Sequence, residues 1–336
     1  MSKVVVPKGY VSNLNIIETE IAIKEIKDYF EKSLAENLNL IRVSAPLFVK
    51  CNSGLNDTLN GCERSVSFDA KEIKECNLEI VHSLSKWKRM ALKEYKFKSG
   101  TGLYTDMNAI RRDEDLDNIH SFYVDQWDWE KVMLKEERNE EFLKETVKNI
   151  YKAFLSTEEY ISSKYSYIEK SLPSEVSFIT TQELEDKYPD LTAKDREHAI
   201  AKEKGAVFIM KVGGVLKSGE KHDGRSPDYD DWDLNGDLIF WYAPLEIGLE
   251  LSSMGIRVDE ESLMRQLKIS GCEDRKTLPY HSKLLNSELP YTIGGGIGQS
   301  RICMYFLKKA HIGEVQATVW DSETVELCKE NGINLL

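Results

Sequence analysis

Seven extended, apolar-rich runs set the terms for the fold of this chain: residues 78–81, 122–124, 176–179, 206–210, 238–242, 249–258 and 315–320. They are not separated by regular helices, and a parallel sheet needs such a crossover at each step. A largely antiparallel α+β sheet flanked by helices is therefore predicted in place of a doubly wound one. Two long amphipathic helices frame it. Ile16, Ile23, Ile26, Phe30 and Leu34 recur at helical spacing within 15–38, as do Leu143, Val147, Ile150, Tyr151 and Phe154 within 141–162. The first helix runs into 40–46, an alternating segment closed by Pro46, which cannot donate to a central ladder; an edge or interface strand follows. Thr180-Thr181-Gln182-Glu183 has capping-box spacing and predicts a further helix start. Without an internal repeat, a low-complexity tract or a Pro/Gly/Ser-rich linker, residues 1–336 are expected to form a single domain.

A net charge of −12 argues against a surface built mainly for nucleic-acid phosphates, since that takes dense Lys and Arg. The first ten residues offer only Val4-Val5-Val6 before Pro7, too short for a signal-peptide core. No run approaches the roughly 18 apolar residues of a membrane span. Six cysteines (Cys51, Cys62, Cys76, Cys272, Cys303, Cys328) are scattered without C-x-x-C pairs, and the histidines show no ligand spacing. Reduced thiols in a cytoplasmic protein, with no membrane partner and no structural transition metal, are expected.

Familiar nucleotide signatures are missing. No Gly-Lys-Ser/Thr occurs, so the P-loop fails, and kinase signatures are absent. Gly294-Gly295-Gly296-Ile297-Gly298-Gln299 has Gln299 where a dinucleotide fingerprint wants its third glycine, and it has no βαβ frame. Four other clusters remain. The first, 111–130, reads as a strand, a charged turn and a returning strand. Its alternation puts Ser121, Tyr123 and Asp125 on one face and Gln126 and Asp128 on the other. Arg111 is suited to fork an α-phosphate; the alternative is a charged hairpin facing water. The second, 223–237, is dense in carboxylates, which repel one another unless Mg²⁺ or a substrate ammonium compensates them. A solvated acidic loop is the commoner fate of such a run, but Tyr229 and Trp232 stand against it. The third, 250–257, lies on a strand whose parity puts Glu250, Ser252 and Met254 on one face; Glu250 with Asp237 is a candidate pair for Mg²⁺ on a triphosphate. The fourth, 294–301, reads as a glycine-rich strand entering the buried helix of 302–307. There a nucleotide can approach the backbone and the N–H groups of the helix start; a tight turn before a core helix is the alternative.

Taken in order, these clusters resemble the signature motifs of class II aminoacyl-tRNA synthetases, nearest the aspartyl and asparaginyl enzymes. The helix ending in 40–46 is similar to the dimer-forming first motif, 111–130 to the second and 294–301 to the third, while Glu250 and Arg257 repeat the aspartate-specific spacing. The runs 82–89, 123–130, 227–232 and 293–301 resemble those of the ammonia-dependent aspartate ligases, a likeness that covers nearly the whole chain. It implies a class II synthetase-like catalytic domain making asparagine from L-aspartate, ammonia and ATP through a β-aspartyl adenylate, with Mg²⁺, in a homodimer.

The resemblance also implies roles. Arg111 would grip the α-phosphate and Arg301 the γ-phosphate or adenine, with Ser121 and Ser252 at the nucleotide and Asp237 and Glu250 on Mg²⁺. Lys88 and Arg257 would meet aspartate's carboxylates, Asp128 and Asp230 its ammonium, with Gln126 and Arg225 nearby. Asp57, in Asn56-Asp57-Thr58-Leu59-Asn60-Gly61, falls on a family active-site position and is assigned to the ammonia step. Its Asn-Gly neighbours suggest an exposed turn, and capping that loop is the alternative use. Two departures stand out. Val124 replaces the aromatic that stacks on adenine, leaving the base to Arg301 and apolar packing; Gln299-Ser300 replaces the apolar-acidic pair before the arginine. The chain has no room for a separate anticodon-binding domain, so no tRNA partner is expected. Two other classes stay open. A tRNA-modifying or regulatory paralogue is opposed by intact Arg111, Glu250, Arg257 and Arg301. A glutamine-dependent enzyme would need a nucleophilic cysteine where Met1-Ser2 stands.

Overall fold

A computed structural model describes residues 3–57 and 63–336; Met1-Ser2 and the segment 58–62, with Asn60-Gly61 and Cys62, lie outside the described residues. The chain opens with helix α1 (Ile16–Leu38), strands β1 (Leu40–Arg42) and β2 (Phe48–Lys50), and the hairpin β3 (Ser67–Ala70) and β4 (Ile73–Ile80). Helix α2 (Ser85–Glu94) leads to a long hairpin, β5 (Gly102–Ile110) and β6 (Tyr123–Val132), and then to α3 (Glu140–Lys164). Next come β7 (Ser177–Thr180), α4 (Thr181–Lys187), α5 (Ala193–Lys204) and β8 (Ala206–Met210). A second long hairpin, β9 (Asp230–Tyr242) and β10 (Ile247–Arg257), precedes α6 (Glu260–Ile269) and α7 (Pro279–Leu285). The chain closes with β11 (Thr292–Gly298), α8 (Gln299–Leu307) and α9 (Ser322–Glu330).

Eight strands form one sheet in the order β1-β5-β6-β11-β10-β9-β8-β7, antiparallel except where β1 meets β5 and β7 meets β8. Strands β2, β4 and β3 make a small antiparallel sheet beside it. The α+β expectation holds, and β1 lies at the sheet's edge as Pro46 implied. The predicted strand over 315–320 does not form. Val315 leaves a 3₁₀ turn (Ile312–Glu314), and Gln316 turns its amide onto Asp125 of β6, a strand already paired on both sides.

Local chemistry explains the long helices. In α1, Ala22, Ile23, Ile26, Phe30, Leu34 and Leu38 are buried at spacings of three and four. Asn15 and Glu18 close a reciprocal capping box, and Asn39 ends the helix at φ 59°, a left-handed position that asparagine tolerates. Phe30 stacks on Trp127 at 5.1 Å and meets Phe154 edge-on at 4.9 Å; Phe154 in turn meets Phe240 at 4.9 Å. Such pairs add about 0.5–1.5 kcal/mol each beyond the area they bury. They seat α1 and α3 on one face of the large sheet. The predicted capping box at Thr180 and Glu183 starts α4. Alternation along β6 then decides what the other face holds. Trp127 and Trp129 go into the helical core, so Gln126, Asp128 and Glu130 point the opposite way.

Candidate active site

On that second face a cavity of about 420 Å³ opens over β6, β11 and β10. Its floor exists because β11 is glycine-rich. A Cβ at Gly296 would stand 2.5 Å from Gln126 Oε1 and 3.0 Å from Asp128 Oδ1, and one at Gly294 would overlap the Glu130 carboxylate. The bare strand lets β6's long polar side chains lie across it.

Of the residues singled out in the sequence, Asp57, Arg111, Ser121, Gln126, Asp128, Arg225, Asp230, Glu250, Ser252, Arg257 and Arg301 all line this one cavity. Lys88 and Asp237 stand behind it. Lys88, fully buried on α2, donates to the Gly295 carbonyl at 2.9 Å and pairs with Asp128 at 3.0 Å. Burial pushes its ammonium pKa down, with Asp128 opposing. It props up Asp128 and a strand carbonyl. Asp237 pairs with Arg225 at 2.6 Å. Burial lifts its carboxyl to about 6, Arg225 opposes, and the neighbouring Glu250 and Asp223 charges raise it further.

Three expectations need correction. The parity drawn for β10 is interrupted by a register slip between Glu250 and Ser252. Beyond it Ser253 faces the site and receives Arg225 Nη1, while Met254 turns into the helical core with Leu249 and Leu251. Glu250 therefore shares its face with Ser253 and Arg257, not with Ser252 and Met254. Asp57, expected in an exposed turn, is 2% exposed. Asn56 donates to Glu79 Oε2 and accepts from the His82 backbone, and His82 Nδ1 meets the Asp57 carbonyl at 3.0 Å, so strand and loop enclose it. The acidic run 228–231 is neither solvated nor waiting for a metal. Asp228 pairs with Lys86 and Arg275, Asp230 with Arg257, and Asp231 with Arg138 and Arg265.

The deepest feature is a buried charge cluster that the sequence reading only half identified. Arg257, 2% exposed, donates through Nε and Nη2 to Glu130 and through Nη1 to Asp230. Burial alone would raise the Glu130 carboxyl, yet Arg257 and Lys88 outweigh it and hold the group below the ordinary range. Thr292 also donates to Glu130 at 2.7 Å. Glu130 was not named as a site residue, although its parity with Gln126 and Asp128 would have found it. Tyr229, half-buried with its ring centroid 5.8 Å from the Arg257 guanidinium, was noticed only as an aromatic among acids. Gln316, which donates to Asp125 at 3.2 Å and to Ser300 at 3.1 Å, carried no local signal.

At the mouth the guanidiniums are less committed. Arg111 Nε is buried without a hydrogen-bond partner among the described residues. Arg301 Nη1 donates to the Glu250 carbonyl at 2.9 Å and lies 3.9 Å from its carboxylate. Ser252 Oγ is likewise buried and unpartnered among the described residues. Val124 packs with Val81, Leu84, Met107 and Ala109 at the cavity wall. The arrangement combines cations open to an anion with anchored carboxylates able to take an ammonium group.

The fold has solved relatives. Asparaginyl-tRNA synthetase of Entamoeba histolytica in complex with asparaginyl-adenylate superposes with a TM-score of 0.63 at 13% identity, over 90% of this chain and 66% of that one. Aspartyl-tRNA synthetase of the same organism gives 0.62 at 16% identity, over 91% and 59%. These matches establish the catalytic fold of class II aminoacyl-tRNA synthetases. Sequence relatives go further. An aspartate–ammonia ligase of Clostridium perfringens (strain SM101 / Type A) is 68% identical over 100% of both chains. One of Clostridium tetani is 64% identical over 99% of this chain and 98% of its own. The family description "aspartate-ammonia ligase" matches residues 17–332, and with full-length relatives at this identity the chain belongs to the aspartate–ammonia ligase family.

Proposed function

We propose that this cavity makes asparagine in two half-reactions. Aspartate's β-carboxylate attacks the α-phosphorus of ATP, giving β-aspartyl adenylate and pyrophosphate; ammonia then attacks the acyl carbon and AMP leaves. An ATP-dependent ligase acting on aspartate and ammonia is what the family does. The adenylate route rests on one observation. Arg111 and Arg301 converge at the mouth of the same cavity whose floor holds Asp128, Asp230 and Arg257. Nucleotide phosphates and an amino acid's charged groups thus find opposite partners side by side.

In this reading Arg111 meets the α-phosphate and Arg301 the γ-phosphate or adenine, with Ser121 and Ser252 beside them. Fixed cations there stabilise charge that develops as phosphorus is attacked. Asp128 and Asp230 take the substrate ammonium. Arg257 keeps one N–H on each Nη after serving Glu130 and Asp230, and that end takes a carboxylate. Lys88 acts through Asp128, while Gln126 and Arg225 shape the aspartate pocket. When bound, Mg²⁺ would neutralise triphosphate charge, held by Asp237 and Glu250. Burial, with the Glu250 and Asp223 charges adding to it, lifts Asp237 and so suits a cation there, and one or two carboxylates plus substrate phosphates is this ion's usual set. Among the described residues no group of three or more His, Cys, Asp or Glu side chains is placed to hold a metal unaided. The chain works as one catalytic domain in a homodimer, with ammonia and not tRNA as acceptor.

Asp57 is assigned to the second half-reaction. It lines the cavity, and a positioned base contributes typically about 10²–10⁴-fold. The test is exchange of labelled pyrophosphate into ATP. Aspartate-dependent exchange is expected without ammonia or tRNA, and exchange that appears only on adding tRNA overturns the reading. In Asp57→Asn exchange should survive while asparagine formation drops by roughly 10²-fold or more; equal effects on both half-reactions withdraw Asp57 as the base.

A further inference from the structure

Asp125, on β6 at the cavity wall, is 6% exposed, and its carboxylate is already committed. Oδ1 accepts from the Ser300 backbone N–H at 3.1 Å and from Gln316 Nε2 at 3.2 Å; Oδ2 accepts from Ser300 Oγ at 2.8 Å and from Lys27 Nζ at 3.0 Å. Together these bonds fill the roughly four lone-pair sites that a carboxylate offers. Gln316, 4% exposed, is bound as fully. Its Nε2 also donates to Ser300 Oγ at 3.1 Å, and its Oε1 accepts from the Ser121 hydroxyl, which has the Tyr123 carbonyl in reach at 2.6 Å. A buried polar chain satisfied at every member is rigid, and it is worth more than its bonds taken singly.

What this chain of bonds holds is the start of α8. The first N–H groups of a helix have no partner within it, and an N-cap side chain ordinarily supplies one. In α8 the N-cap is Gly298, and a Cβ there would stand 3.3 Å from Arg301 Cβ, so a capping side chain at that position would press on the arginine. Position 300, acidic in the synthetase motif, is Ser300 here. The acid comes from β6 instead. Asp125 takes the Ser300 N–H from outside the helix, where a negative charge also suits the helix dipole, and Lys27 of α1 balances that charge. Arg301 follows Ser300 directly, and Ser121 is tied to the same Gln316 amide. Two residues that reach the cavity from different parts of the chain are thereby set in one frame.

We infer that Asp125 and Gln316 are positioning residues for the nucleotide, holding Arg301 and Ser121 in register so that ATP meets both at once; this rests on the ligase reading and adds no chemical step to it.

Gln316→Leu keeps much of the side chain's bulk and takes the amide away from Asp125, Ser300 and Ser121. In the full-length protein, its KM for ATP in aspartate-dependent pyrophosphate exchange should rise roughly tenfold, with KM for aspartate within about twofold of wild type. A purely structural role predicts less active enzyme, hence a lower kcat with both KM values in place. That result overturns the inference, and so does an equal rise in both KM values. Should Gln316→Leu lose its cooperative melt, Ser300→Ala decides on the same criteria, since it removes only the shared hydroxyl and keeps the capped N–H. With both substitutions together, KM for ATP should stay within about twofold of the worse single variant, because they break one chain of bonds; effects that multiply would mean two independent contacts and sink the shared role. If wild type shows no exchange, the adenylate route falls by itself. Calorimetric titration of Mg·ATP into wild type and Gln316→Leu then decides: a Kd roughly tenfold weaker in the variant supports the inference, and an equal Kd overturns it.

Discussion

Arg257 is held on two sides, so any part it takes in the proposed reaction is that of one member of a buried triad with Glu130 and Asp230. A guanidinium has five N–H groups in a planar fork; Nε, Nη1 and Nη2 are each engaged here, which leaves one N–H on each Nη for the carboxylate of the proposed substrate. Lysine offers a point charge and cannot serve Glu130, Asp230 and a carboxylate together. Arg257→Lys should lower kcat/KM for aspartate by roughly 2–4 kcal/mol in transition-state terms while leaving KM for ATP close to wild type. The melting temperature should fall too, because the fully buried Glu130 loses its main partner. Steady-state kinetics in both substrates, read beside a thermal melt, check this; near-normal use of aspartate removes Arg257 from the site. At this scale the sequence was partly legible. Arg257 was visible through its spacing from Glu250, but Glu130 joins it from 127 positions away, and no local pattern announces that partner. Asp57 misled for the opposite reason. Its near neighbours signal a turn, whereas its burial is imposed by His82, a residue 25 positions on.

The glycine run of β11 serves both faces of one strand. Gly295 faces Met254, whose Cβ would stand 2.6 Å from an added Cβ, while Gly294 and Gly296 lie under the polar side chains of β6. An alanine at 296 would press hardest on the far end of Gln126, at 2.5 Å, which can shift, and would stand 3.0 Å from the anchored Asp128. Gly296→Ala should therefore fold normally, yet raise KM for aspartate by roughly tenfold, since Gln126 would leave its place over the floor. An alanine at 294 would meet the Glu130 carboxylate, locked between Arg257 and Thr292. Gly294→Ala should lose about 1–3 kcal/mol of stability in urea unfolding, the usual result of overpacking an interior. Equal stability of the two variants would show that the cradle yields more readily than its ion pairs suggest. The sequence identified this glycine-rich strand and the helix it enters, but read the glycines as room for a nucleotide. Their use for neighbouring side chains depends on register, Gly296 opposite Asp128 and Gly294 opposite Glu130, which no single segment encodes. The slip in β10 was hidden likewise, because alternation along a strand says nothing of where pairing skips a residue.

At the scale of the molecule, the class of the sheet followed from the spacing of its strands, while their order did not. β6 lies between β5 and β11, and β11 arrives only after the parallel pair β7 and β8 and the hairpin β9 and β10. Such long-range pairing is decided by which faces must be buried together, a global property. The edge at β1 was legible, and it carries a consequence for assembly. Among the described residues β1 pairs only with β5, so one side of its backbone is open there, and Ile41 on it is 62% exposed. On α1, Ile17 and Ile21 sit one turn apart at 68% and 54% exposure, while the opposite stripe of the helix packs into the core. Large apolar side chains on the first helix and on an open strand edge are what a two-fold interface covers, and an uncovered edge invites indiscriminate pairing. The protein should therefore sediment as two copies. Adding a charge where this surface would meet its own copy is unfavourable in the dimer and tolerated in the monomer, so Ile17→Lys combined with Ile21→Lys should shift sedimentation toward one copy. Both positions are solvent-facing within the chain, so the variant should keep its far-ultraviolet circular dichroism and its cooperative melt. Wild type that sediments as one copy with full ligase activity removes the dimer, and these isoleucines would then need another partner.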